Sequence, residues 1–273
     1  MKRPDFLFYP TLLDAFQRYL DTRAEDYFFL TDDGKWHKNY NEYEGTFVYS
    51  QDEVDELLLA ELIAKINREE GIVTEAASKG TIFNEVVDCI IHHRPCSIDG
   101  ATIASEPSPS PIIRTTIDGF EFLFDKSLCR NMAAHFPDAM SQLKVEATID
   151  TAYGTVGLYG YVDELLRDKV YDIKTTKKYV FGNYSKYWQR HVYPYCLIES
   201  GACVDLKAFE FTIAELKGGT EKSPLIVGDI YTEVYDYDHV KSTQLIRQQC
   251  ERFCEFLHDH RKMITDKKIY NMP

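Results

Sequence analysis

The apolar spacing changes near residue 145 from about 3.6 to about 2, and it holds there through three segments, 145–151, 155–165 and 170–176. Tyr153-Gly154 and Arg167-Asp168 are the turns between them. A three-strand meander between helical stretches restricts the chain to an α/β (α+β) layer structure built on one central mixed sheet flanked by helices. The second hairpin joins Gly160-Tyr161-Val162-Asp163 to Tyr171-Asp172-Ile173-Lys174 through Leu166-Arg167-Asp168-Lys169. Whether its loop holds two residues or four, the register sets Asp163 opposite Asp172. Facing Cβ atoms on antiparallel strands lie about 4.5–5.5 Å apart, and like charges there repel. A cation bridging the two carboxylates relieves that repulsion, and Lys174 shares the face of Asp172 because strand side chains alternate. Two hard oxygen ligands beside an ammonium suit Mg²⁺- or Mn²⁺-assisted attack on a phosphodiester. The alternative is a surface hairpin with both acids solvated, its other face buried through Val162, Leu165 and Ile173.

Elsewhere the period is helical. Helices are expected over 11–19, 52–69, 79–93, 125–136, 184–199 and 238–263, the fifth bent near Pro194, which lacks a backbone donor. Residues 26–50 read as a loop or short hairpin. Residues 95–119 read as an irregular insertion with edge hairpins, since Ser108-Pro109-Ser110-Pro111 excludes a helix. Further strands are expected over 204–214 and 226–235. The whole reads as a single domain, with residues 1–70 a helical and loop extension and residues 71–263 the core, interrupted at about 94–120.

Composition bounds the function. At 273 residues, 44% hydrophobic and 27% charged, the chain can bury one substantial core. No apolar run approaches a membrane span, and Met1-Lys2-Arg3-Pro4-Asp5 is not followed by a signal core, so a cytoplasmic protein without export or membrane association is expected. Seven scattered cysteines read as reduced thiols. Cys250 and Cys254 share a helix face, but no later cysteine completes an iron–sulfur or zinc set, so helix packing is expected and no iron–sulfur cluster. The net charge of −13 opposes nucleic acid globally. Locally, Arg167, Lys169, Lys174, Lys177, Lys178, Lys186 and Arg190 form a basic strip in sequence, compatible with a phosphate track or with a solvated lysine-rich loop. Tyr179, Phe181, Tyr184, Tyr187 and Trp188 flank it, as base-stacking groups or as core.

An acid-x-Lys triplet alone says little: Asp33-Gly-Lys35, Asp205-Leu-Lys207, Glu215-Leu-Lys217 and Asp266-Lys-Lys268 are also present. Asp172-Ile-Lys174 differs in having Gly160-x-x-Asp163 in facing register and Gln189-x-x-x-Tyr193 on the next helix. That combination resembles the RecB-type, phage-exonuclease branch of the PD-(D/E)XK nuclease superfamily, over roughly 74–199 and more loosely 9–20. The resemblance implies a restriction-endonuclease-like core in which Asp163 and Asp172 hold the metal with the backbone carbonyl of Ile173. Lys174 would polarise the attacking water and steady the phosphate, with Gln189 and Tyr193 orienting the nucleic-acid backbone; Lys177, Lys178 and Arg190 are the candidate phosphate contacts nearby. Glu146 matches an acidic position on the preceding strand. The family's first motif, Gly-Thr-x-x-His-Glu, reads Gly80-Thr81-Ile82-Phe83-Asn84-Glu85 here. Asn84 can ligate Mg²⁺ through its amide oxygen, or Glu85, about 100° round the helix, can take its place. Asp88, one turn after Asn84, reads as solvated.

The expected function is therefore a Mg²⁺-dependent DNA exonuclease of recombination, repair or phage-type processing. Without a phosphate-binding motor loop, it acts alone or as a ring-forming homo-oligomer, or serves a helicase or recombination partner. The alternative is a weakened relative that binds DNA or a recombination protein without cutting.

Overall fold

The computed structural model describes residues 3–31 and 36–272. In chain order the strands are β1 (Phe6–Phe8), β2 (Phe28–Leu30), β3 (Trp36–Lys38), β4 (Thr102–Ser105), β5 (Ile112–Ile117), β6 (Phe120–Asp125), β7 (Met140–Thr151), β8 (Gly154–Leu166), β9 (Lys169–Thr176), β10 (Ala208–Lys217) and β11 (Leu225–Asp236). The helices are α1 (Pro10–Asp21), α2 (Gln51–Ile66), α3 (Glu75–His92), α4 (Lys126–Ala133), α5 (Gln189–Glu199) and α6 (His239–Asp259). Nine strands make one mixed sheet in the order β1-β8-β9-β10-β11-β6-β5-β4, with β7 on the other edge of β8; β2 and β3 form a separate hairpin. The fold is α+β, a large mixed sheet flanked by six helices.

Local chemistry sets the helix ends. Pro10 occupies the first turn of α1, where a missing donor costs nothing. Ser50 and Glu53 form a reciprocal capping box at α2, and Thr74, Asp125 and Asp238 each accept a backbone N–H at the starts of α3, α4 and α6. The helix expected from 184 begins at Gln189, because residues 180–188 turn repeatedly before α5. Two strands escaped the sequence reading: β1, only three residues long, and β6, whose Phe120, Phe122 and Phe124 alternate immediately before the α4 cap.

The sheet separates two buried clusters. Phe8, Phe16, Leu62, Val162, Phe211 and Phe253 belong to the one formed with α1, α2, α5 and α6. Phe83, Phe124, Met132, Phe136 and Ile173 belong to the one formed with α3 and α4. Residues 1–70, read above as an extension, supply Phe8, Leu12, Leu13 and Phe16 to the first cluster and pair β1 in parallel with β8. The core also runs past 263, through the buried Ile264 and Ile269. The stretch expected as an insertion joins the sheet as β4 and β5, paired antiparallel at its far edge. Cys250 and Cys254 are buried in α6 packing, as their shared face implied. Among the described residues, no helix is long and apolar enough to cross a membrane. Asp33-Gly-Lys35 lies outside the described residues.

Candidate active site

The hairpin register is the one the sequence implies. A two-residue turn at Arg167-Asp168 pairs Leu166 with Lys169, Leu165 with Val170 and Glu164 with Tyr171. The next pair, Asp163 with Asp172, does not continue the ladder. Instead Asp163 Oδ2 accepts the Ile173 N–H at 2.8 Å, so a side chain fills the place of a strand hydrogen bond and the strands part. The cause is a sharp twist in β8. Val162 joins the α5 cluster, while Glu164, two residues on, faces Asp88 of α3. Opposite this point Gln142 of β7 has φ 52, and the β7–β8 pairing passes from Ser141↔Glu164 to Leu143↔Val162 without a 142–163 pair. A local irregularity of this kind re-aims a side chain. Here it turns Asp163 sideways into the gap.

Asp172, 1% exposed, points to the α5 face of β9. Its Oδ1 accepts from Gln189 Nε2 at 2.5 Å, and its Oδ2 stands 2.5 Å from the Lys174 ammonium as an ion pair without aligned hydrogen-bond geometry. Lys174 donates to Gln189 Oε1 at 2.9 Å, which closes a three-membered ring of side chains. Tyr193, one turn along α5, brings its hydroxyl to 3.5 Å from Gln189 Nε2. A Cβ on Gly160 would fall 2.6 Å from the Tyr193 ring, so the glycine of Gly160-x-x-Asp163 lets α5 approach β8 closely enough for Gln189 to reach Asp172. The two motifs interlock.

Burial drives the titration of these groups. It pushes the Asp163 carboxyl up to about 8, with the Asp172 charge adding and Lys174 opposing. Asp172 is raised by burial against the pull of Lys174. Burial works against the Lys174 charge, but Asp172 and Asp163 outweigh it and hold the ammonium above its ordinary value. Lys174 is therefore a permanent cation at neutral pH.

Of the two candidates on α3, Asn84 stands beside the site: its Nδ2 is 3.5 Å from the Ile173 carbonyl, and its Oδ1 is buried without a partner. Glu85 does not. It takes Arg94 at 2.6 and 3.0 Å and the Ser97 N–H at 2.5 Å, and these bonds overcome burial to hold its carboxyl down at about 2. The turn after α3, with His93 left-handed at its end, folds Arg94 back over the helix and consumes Glu85. Asp88 is buried rather than solvated: 2% exposed, it lies 3.5 Å from Arg94, and burial raises its carboxyl and pushes that of the facing Glu164 up to about 8.

The basic strip does not survive folding. Lys169 pairs with Glu210 at 2.9 Å, and Arg190 lies over the Tyr235 ring at 4.9 Å. Lys177 lines a cleft of about 560 Å³ with Lys79 and Lys217 on the α3 side, and Lys178 is exposed beside it in sequence. Tyr193 is buried, a support for Gln189 rather than an open contact surface. Tyr179 stacks on Tyr231 and Trp188 packs into the core, while Phe181 is exposed. Glu146 is exposed and pairs with Lys144. One acid escaped the sequence reading. Asp14 of α1 accepts the Trp188 N–H at 2.8 Å and lies in the field of Lys174 and Lys65, its carboxyl raised by burial to about 6. An acid embedded in Leu13-Asp14-Ala15-Phe16, beside the buried helix stripe, was the available signal.

Among the described residues no three His, Cys, Asp or Glu side chains converge as a metal-binding group. The donor set is instead two carboxylates, the Ile173 carbonyl and the unpartnered Asn84 amide oxygen. All are hard oxygens, the set that Mg²⁺ or Mn²⁺ accepts while keeping several waters.

No protein-family model matches this chain, and no curated protein matches it. Among solved structures it is similar to the one described as "Crystal structure of SSO0001", with 12% identity and a TM-score of 0.26. The similarity covers 41% of this chain and 49% of that one, so the chain spans about half the length of that protein. A likeness that weak bears on neither fold nor function.

Proposed function

We propose that this chain is a metal-dependent nuclease with a restriction-endonuclease-like core, hydrolysing DNA phosphodiester bonds as an exonuclease. One observation carries the reading: where β8 and β9 part, Asp163 turns onto the Ile173 N–H within the field of Asp172, and the Lys174–Gln189 pair closes around Asp172. The Lys174 ammonium balances one carboxylate charge, so two buried carboxylates leave one charge that a bound cation would answer.

Asp163, Asp172, the Ile173 carbonyl and Asn84 would hold Mg²⁺ or Mn²⁺, which supplies an activated water and neutralises charge on the phosphate. The remaining work falls to the chain. Lys174, kept charged, is a donor to a phosphate oxygen or to the attacking water and not a base. Gln189 fixes the ammonium and the Asp172 carboxylate with one amide, its oxygen to the first and its nitrogen to the second. Tyr193, packed on Gly160, prevents that amide from turning away.

The test is a gel assay with 5′- and 3′-labelled linear and circular DNA, with and without Mg²⁺. Metal-dependent loss of linear DNA that spares the circle supports the exonuclease, and the labels report polarity. DNA binding indifferent to chelator, with no cleavage under any divalent ion, replaces it with the binding-module reading.

A further inference from the structure

A cleft of about 710 Å³ opens between α1, α2 and the turns before α5. Asp14, Arg18, Lys65, Lys186 and Tyr187 line it, together with Asp21 and Asp26. Tyr187 belongs to both the cleft and the catalytic region, since the Lys174 ammonium lies 5.8 Å from its ring centroid. Two features point to a ligand. Asp14 Oδ2 is buried with no hydrogen-bond partner, although Oδ1 of the same carboxylate is satisfied by Trp188. A buried acceptor left open is destabilising, and a bound donor removes that cost. Of the three cations, Arg18 is taken by Glu61 at 2.9 Å. Lys65 and Lys186 make no ion pair among the described residues, and both are exposed.

We propose that this cleft binds one nucleotide of the substrate strand beside the scissile bond. Lys65 and Lys186 hold its phosphate, and Asp14 Oδ2 accepts a hydrogen bond from its base or sugar. The proposal rests on the nuclease reading for its place in the reaction, because the cleft meets the catalytic lysine only through Tyr187 and Asp14. A carboxylate beside two free ammonium groups suits neither a bare anion nor a bare cation. It suits a ligand that carries a phosphate at one end and donors at the other. The Tyr187 ring, stacked on Tyr184 with centroids 5.8 Å apart, gives such a ligand an aromatic wall.

Deoxyadenosine 5′-monophosphate, titrated calorimetrically into the chelator-treated protein, tests this without any cleavage. Inorganic phosphate is the comparison ligand. Asp14→Asn keeps an oxygen for the Trp188 N–H and turns the free acceptor into a donor. The expected result is about a tenfold loss of nucleotide affinity in Asp14→Asn with phosphate binding unchanged, and a comparable loss for both ligands in Lys186→Ala. Lys186 is exposed and unpaired, so its removal leaves folding intact and keeps the test decisive if Asp14→Asn does not fold. No saturable nucleotide binding by the parent protein overturns the proposal, as does parental nucleotide affinity in Lys186→Ala. Cleavage that persists without nucleotide binding removes the cleft alone, whereas nucleotide binding without cleavage removes the nuclease.

Discussion

The β8–β9 hairpin carries acids on two sides, and the sides are treated oppositely. Toward α3, Arg94 and Ser97 hold the facing Glu85 of the helix, and Ser141 donates to Glu164 Oε2 at 2.6 Å, while Glu164 Oε1 and Asp88 Oδ1 stay open. Toward α5, Asp172 and Lys174 are answered mainly by each other and by one glutamine, and Asp163 borrows a backbone donor from the partner strand. On the first side the pairing stabilises a helix end. On the second it holds charges in tension around a gap. Acids around one hairpin thus differ in who answers them, an arginine and two serines toward α3, a lysine and a glutamine toward α5.

Four substitutions and conditions sharpen or break that division. The largest effect belongs to Asp172→Ala, which removes the acid that Gln189 and Lys174 share. It should lower metal-dependent DNA cleavage by about a thousandfold while circular dichroism and the melting temperature show a folded protein. Equal activity in the variant would make the α5 side structural too. On the α3 side Arg94→Ala should do the reverse. It strands Glu85, 6% exposed, and should cost about 3 kcal/mol by urea unfolding, with no selective loss of turnover in the protein that remains folded. Gly160→Ala comes next, at about 1–3 kcal/mol, because the added methyl meets the Tyr193 ring; Tyr193→Ala in the same chain should recover part of the loss.

The smallest effect is the most diagnostic for the pair itself. Asp163 rises from 3.8 to about 8 on folding, and Glu164 rises to about 8 as well. Such groups contribute stability that is fully present below the unfolded value, and it is lost as pH climbs through the folded one. Metal-free protein should accordingly melt at a higher temperature at pH 5 than at pH 8. Asp163→Asn should flatten that slope and add about 1 kcal/mol at pH 8, a shift of about 2–4 °C. A variant melting below the parent at pH 8 would mean that Asp163 is not held under electrostatic strain.

Much of the site was readable before the fold was known, because the information was local. Alternation and a two-residue turn place Asp163, Asp172 and Lys174, and a helical step of four residues joins Gln189 to Tyr193. What failed depended on partners far away or on backbone irregularity. Glu85 was misplaced because a helical wheel cannot show that His93 turns left-handed and returns Arg94. The basic strip was an artefact of counting along the chain. Strand alternation sends only Lys169 and Lys174 to opposite faces, the other members lying in turns and a helix, and Glu210, which claims Lys169, lies 41 residues on. The ladder was extrapolated one pair too far because nothing in the residue types announces φ 52 at Gln142. Asp14 was missed for a similar reason: an isolated acid on a helix acquires meaning only when Trp188, 174 residues later, settles on it.

One edge of β8 changes neighbours midway. Its partner is β1 as far as Leu158 and β9 only from Glu164 onward, and among the described residues no strand covers that edge between them. Sheets are stiff because each strand is clamped from both flanks. This one is clamped from a single flank at 159–162 and paired on neither at Asp163, with Tyr193 packed against Gly160. Such a seam, rigid behind and free in front, is where the sheet opens at least cost. The amide protons at 159–163 that point away from β7 should accordingly exchange sooner than those at 156–158 that point to β1.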